Sequence, residues 1–147
     1  MSLQKEVMEE IKAAMKSKDK VALESLRALK SAFLLANTSG GDELNEDEEI
    51  KIVQKLVKQR KDSAAIFLDQ NRKDLAEPEL AQAKVLEHFL PAQMSEEELK
   101  QAIGKIVSET GATSMKDMGR VMGMASKQFA GKADGKAISM VVKELLS

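Results

Sequence analysis

From Leu3 to Leu145 the apolar residues advance in steps of three and four, and no stretch alternates apolar with polar residues long enough to build a half-buried strand. That periodicity confines the chain to the all-α class. Leu3, Val7, Met8, Ile11 and Met15 predict a first helix from about Ser2 to about Ser17, buried along one apolar stripe. Ala22, Leu26, Leu29, Phe33 and Ala36 mark a second, whose seam is narrow enough for bundle or coiled-coil packing. Ile50, Val53, Leu56, Val57, Ala64, Phe67 and Leu68 carry a third to about Asp69, and Leu80, Ala83, Leu86 and Leu90 a fourth. Three shorter stripes follow, beginning at Leu99, Met118 and Ile138.

Turn formers and caps set the boundaries. Residues 37–42, with two glycines, predict an exposed, mobile loop after the second helix. Asn45 with Glu48 forms a capping box, and the acids of 42–49 followed by the bases of 51–61 suit the dipole of a helix starting there. Asp74 with Glu77 suggests another box, which would leave Pro78 in a first turn. Pro91 stops the fourth helix. Ser95 and Glu98 then cap the next one, with Met94 and Leu99 as its hydrophobic staple. The expected organisation is hinged: an elongated N-terminal helical bundle over residues 1–91, then a small three-helix domain over residues 92–147.

Composition narrows the chemistry. With 147 residues the chain holds one domain or two small ones, and 43% hydrophobic with 32% charged residues is foldable and soluble. There is no cysteine, no tryptophan or tyrosine, and a single histidine, so disulfides and thiolate metal sites are excluded. His88 has no partner motif and is placed to meet the negative end of the fourth helix. The acids of 42–49 lack the glycine and alternating ligands of a calcium loop. No catalytic residue, metal or cofactor is expected. Acids interrupt the apolar N-terminus, which reads as neither signal peptide nor membrane span, so the expected compartment is the cytoplasm.

Functional residues are expected between Met115 and Lys143. Six bases there, Lys116, Arg120, Lys127, Lys132, Lys136 and Lys143, face only Asp117 and Asp134, whereas the whole chain carries a formal charge of -1. Gly119 and Gly123, four apart on one helix, leave a strip without side chains, for which tight packing against another helix is the commonest use. Beyond Phe129, a turn leads into the last helix. Asp134 is placed to cap that helix, with Lys132 and Lys136 beside its amides in an arrangement that suits phosphate. A nucleotide P-loop is ruled out, because Gly131 to Gly135 is one residue short and Ala137 stands where a Ser or Thr would bind magnesium. Arg27 and Lys30, and the bases of 51–61, are further cationic faces that ordinary solvation explains.

Several phrases carry a resemblance: Asn71-Arg-Lys-Asp74, Val85-Leu-Glu-His-Phe-Leu-Pro91, Met94-Ser-Glu-Glu-Glu-Leu99, Asp117-Met-Gly-Arg-Val-Met-Gly123 and Gly131-Lys-Ala-Asp-Gly-Lys136. Together they resemble the YqeY family over essentially the whole chain, and the final third is similar to the tail domain of GatB, a subunit of the bacterial tRNA-dependent amidotransferase. The resemblance implies an N-terminal helical domain followed by a three-helix GatB-like tail. It also implies an accessory role in gripping tRNA, and an association with carbon-nitrogen ligase chemistry that uses glutamine as amido donor. The expected partners are tRNA and an aminoacyl-tRNA synthetase or amidotransferase. Arg120, Lys127, Lys132 and Lys136 would contact phosphates, while Gly119, Gly123 and Gly135 would allow close approach to the ribose-phosphate surface. The alternatives are an amidotransferase component and a helical protein-interaction adaptor. The four phenylalanines lie in apolar helical patterns and are expected in cores rather than as base-stacking platforms.

Overall fold

The computed structural model describes residues 2–40 and 43–147, and among these every regular element is helical. In order they are α1 (Leu3–Ser17), α2 (Lys20–Gly40), α3 (Glu46–Asp69), α4 (Lys73–Glu87), α5 (Glu96–Thr110), a 3-10 turn (Met115–Asp117), α6 (Met118–Gln128) and α7 (Gly135–Leu146). The all-α expectation holds. The chain gathers into two compact units, Met1–Leu90 and Pro91–Ser147.

In the first unit, Val7, Ile11 and Ala14 of α1 pack with Leu26, Leu29 and Phe33 of α2, Val53 and Val57 of α3, and Ala83 and Leu86 of α4. Each fully buried leucine is worth about 1.5–3 kcal/mol relative to exposure. The α1 stripe differs from the expected one: Ala14 is buried, whereas Met8 and Met15 stand 39% and 56% exposed. Periodicity places Met8 beside Val7 on the helix rim, and the position of α2 decides which rim closes. The break expected at 37–42 also shifts, since α2 stays helical through Gly40, while Gly41 and Asp42 lie outside the described residues.

Local chemistry fixes the ends of these helices. Lys18 adopts the left-handed conformation (φ 58°), Asp19 N–H closes back on the Ala14 carbonyl at 3.0 Å, and Asp19 Oδ1 accepts the Ala22 amide at 3.1 Å. The Asn45–Glu48 capping box forms at both of its bonds. The Asp74–Glu77 box does not form. Asp74 instead holds the Arg72 guanidinium through two bonds of 3.1 and 2.9 Å, the helix begins earlier at Lys73, and Pro78 falls inside it rather than in its first turn. His88 closes α4 through its backbone amide, which returns to the Val85 carbonyl at 3.3 Å, while its Nε2 lies 3.4 Å from Glu10.

The second unit has its own core, built from Leu99, Ile103 and Ile106 of α5, Val121 and Ala125 of α6, Phe129, and Ile138, Val141, Val142 and Leu146 of α7. Ser95 Oγ accepts the Glu98 amide at 3.1 Å, but Glu98 receives the serine hydroxyl, also at 3.1 Å, so that cap is one-sided. Gly111 ends α5 with φ 69°, a conformation that costs glycine nothing. Lys100 braces α5 to α7, 3.3 Å from Glu144 and 3.7 Å from Glu96, and these acids hold its ammonium above the ordinary lysine range.

Candidate nucleic-acid interface

Helix α6 is built on the Val121–Ala125 stripe, both residues fully buried, with Met118 and Met122 packed beside it. One consequence overturns a sequence expectation. Gly119 and Gly123 lie on the opposite, exposed face, and a β-carbon added at either would meet no atom within 4 Å. Their bare strip is therefore not a helix-packing surface in this structure. It leaves α6 backbone open to solvent beside exposed Arg120 and Lys127, which fall on the same side of the helix seven residues apart, with exposed Lys116 in the 3-10 turn before them. Two glycines inside an exposed helix cost about 1 kcal/mol each relative to alanine, and no packing contact offsets that cost here.

The cations differ in how they are held. Arg120 Nη2 donates to Asp117 Oδ1 at 3.1 Å and to the Thr110 carbonyl at 3.3 Å, while Asp117 Oδ2 accepts the Thr113 amide at 3.1 Å. Arg120 thereby ties the start of α6 to the end of α5, with one nitrogen committed inside the unit. Lys127, Lys132 and Lys136 are exposed and have no carboxylate within 4.0 Å among the described residues. Their ammonium groups remain open to an outside anion.

The turn between α6 and α7 is shaped by its own backbone and by a segment remote in sequence. Gly131 is buried with φ 80°, and the amides of Lys132 and Ala133 return to the Phe129 carbonyl at 2.9 and 3.3 Å. Gln93 Nε2 donates to the Gly131 carbonyl at 2.7 Å, and the Met94 amide donates to the Lys132 carbonyl at 2.9 Å. These bonds pin the turn that carries Lys132. Asp134 Oδ1 accepts the Ala137 amide at 2.6 Å, so the helix end has a carboxylate of its own, with exposed Gly135 and Lys136 in the first turn of α7.

Sequence spacing had singled out Gly119, Arg120, Gly123, Lys127, Lys132, Gly135 and Lys136. The first four share α6, and the others lie on the pinned turn and the first turn of α7. It had not singled out Gln93, Thr110 or the double role of Asp117. Bonds between a side chain and a carbonyl 10 or 38 residues away leave no periodic trace in a sequence. Phe33, Phe89 and Phe129 are buried and Phe67 is half-buried, which leaves no aromatic platform for stacked bases in either core.

An all-helical protein with a basic, glycine-gapped helix face is the class this fold defines. The chain belongs to the YqeY-like protein family, whose model matches residues 4–146. Among curated relatives it is 28% identical over 141 residues to the mitochondrial "altered inheritance of mitochondria protein 41" of Pyrenophora tritici-repentis, covering 93% of this chain and 77% of that protein. The protein of the same name from Clavispora lusitaniae is 33% identical over 106 residues, covering 70% of this chain and 61% of its own length. That from Kluyveromyces lactis is 30% identical over 134 residues, with 88% and 68% covered. These relatives are named as mitochondrial, which does not support the cytoplasmic expectation for this chain. No helix among the described residues is long and apolar enough to cross a membrane.

Proposed function

We propose that the second unit is an RNA-gripping module that contacts folded tRNA through its phosphates. The observation that carries this reading is the exposure of Gly119 and Gly123 beside the cations of α6, where an open backbone lets a bulky polyanion approach the helix closely. Lys127, Lys132 and Lys136 supply the charge. Arg120 chiefly positions α6, since its guanidinium is held by Asp117 and Thr110. Recognition is of shape and phosphate rather than of bases, as the lack of an exposed aromatic platform favours. Any amidotransferase chemistry belongs to a partner in this reading: the one serine of the second unit bonded to a carboxylate, Ser95 to Glu98, is occupied in capping α5.

Fluorescence anisotropy with labelled tRNA over a range of salt concentrations tests the proposal. Three neutralised phosphates give a log-log slope of about -2 to -3. The Lys132→Ala/Lys136→Ala double variant is expected to bind different tRNAs more weakly by similar factors while keeping its helical circular dichroism. Salt-insensitive binding, or undiminished affinity in the folded double variant, overturns the proposal.

A further inference from the structure

The first unit carries a second surface, unrelated to the cationic helix of the second. Between α1 and α2 lies a cavity of about 140 Å³ with Val7 and Phe33 at its floor, Met8 and Leu34 on its walls, and Lys30 at its rim. The Asn37 amide closes one end by donating to Gln4 Oε1 at 3.2 Å. Leu34 is 63% exposed and Met8 39%, so the groove offers apolar surface on both sides. A space of this size admits one aliphatic side chain.

The charges around the groove are segregated. Along α1, Met8, Lys12 and Met15 recur at steps of four and three on the groove side, whereas Glu6, Glu9 and Glu10 line a different cavity beside His88. Along α2, Leu23, Arg27, Lys30 and Leu34 form the matching stripe at steps of four, three and four. Lys12, Arg27 and Lys30 are exposed, and among the described residues none has a carboxylate within 4.0 Å. Three unpaired cations beside an apolar slot complement an acidic helix that presents one aliphatic anchor.

From this complementarity we propose that the α1–α2 groove docks an acidic amphipathic helix of a partner protein, with an aliphatic side chain seated between Met8 and Leu34 and carboxylates over Lys30, Arg27 and Lys12. The apolar slot favours a protein over a nucleic acid, since a phosphate backbone has nothing to place between Val7 and Phe33. The recessed slot favours it over a lipid surface, because binding there scales with the apolar area inserted into the bilayer and the floor at Val7 and Phe33 is buried. Methionine walls suit such a groove, because an unbranched thioether repacks around differently shaped anchors.

The test uses the full chain, isotopically labelled, and two synthetic helical peptides of 16 residues, each with leucines at helical spacing and either glutamates or lysines elsewhere. The glutamate peptide is expected to shift the backbone resonances of Val7, Met8, Lys30 and Leu34 in the wild type. Lys30→Glu weakens that binding about tenfold and improves binding of the lysine peptide, because it reverses the rim charge. Leu34→Asp abolishes the response, and both positions are exposed enough to leave the fold intact, as circular dichroism would confirm. Four outcomes overturn the proposal: no response to the glutamate peptide, equal responses to both peptides, shifts mapping elsewhere, or the same resonances moving with tRNA, anionic vesicles or protein concentration alone.

Discussion

The carboxylate of Glu49 accepts the backbone amide of Gln4 at 3.2 Å, so an acid in the first turn of α3 closes the N-terminus of α1 across 45 residues of sequence. The contact continues as a chain. The Gln4 side chain accepts the Asn37 amide at 3.2 Å, and Asn37 Oδ1 accepts the Leu44 amide at 3.3 Å, linking the start of α1, the end of α2 and the approach to α3. Glu49 is only 4% exposed. Its burial raises the carboxyl above the ordinary range. The Gln4 hydrogen bonds oppose that shift, and repulsion from Glu46 on α3 and Glu6 on α1 adds to it.

The sign of that shift makes stability depend on pH. A carboxyl whose folded value is raised holds its proton in the fold after the unfolded chain has released it. Its contribution is therefore fully present below about pH 4.5 and lost as pH rises through the folded value. Glu49→Gln keeps an acceptor for Gln4 and removes the buried charge. Urea titrations are expected to find the variant more stable than wild type at pH 7, with the gap closing toward pH 4. A gap that is constant with pH, or reversed at pH 7, contradicts this account.

Alanine at Gly119 and at Gly123 separates stability from function. Each added methyl group meets open space, so each substitution is expected to stabilise the second unit by about 0.5–1 kcal/mol through helix propensity. On the proposed RNA surface the same methyl groups obstruct close approach. A variant that melts higher and binds tRNA more weakly meets both expectations, whereas a lower melting temperature shows that the strip is covered in solution.

Arg120→Ala removes the bonds to Asp117 and the Thr110 carbonyl, and the half-exposed pair limits the cost to about 1 kcal/mol or less. Lys127→Ala touches no internal partner and leaves stability unchanged. Hydrogen exchange at the start of α6 is expected to quicken in the first variant only. Equal exchange in both variants refutes the positioning role of Arg120.

We further propose that the two compact units fold independently, since each closes its own apolar core. A polypeptide spanning residues 91–147 is expected to give a cooperative thermal transition and the helical circular dichroism of the unit in the full chain. A non-cooperative melt shows that it needs the rest of the chain.

The sequence by itself determined what is local. Steps of three and four determined the helices, and the caps at Asn45, Ser95, Asp134 and Gly111 fell where side-chain oxygens or a left-handed glycine satisfy amides and carbonyls within a few residues. The same signals failed at Asp74, where a competing bond to Arg72 took the carboxylate, and at 37–40, where Asn37 reached Gln4 and Leu44 and the helix ran on. Only the tertiary structure decided which flank of an apolar stripe closes, burying Ala14 and exposing Met8 and Met15. It alone turned Gly119 and Gly123 toward solvent, buried Glu49 against α1 and committed Arg120 to Thr110. The reason is physical: a helical period specifies that a face exists, but which neighbouring element covers it depends on contacts between residues tens of positions apart, and those leave no spacing to read.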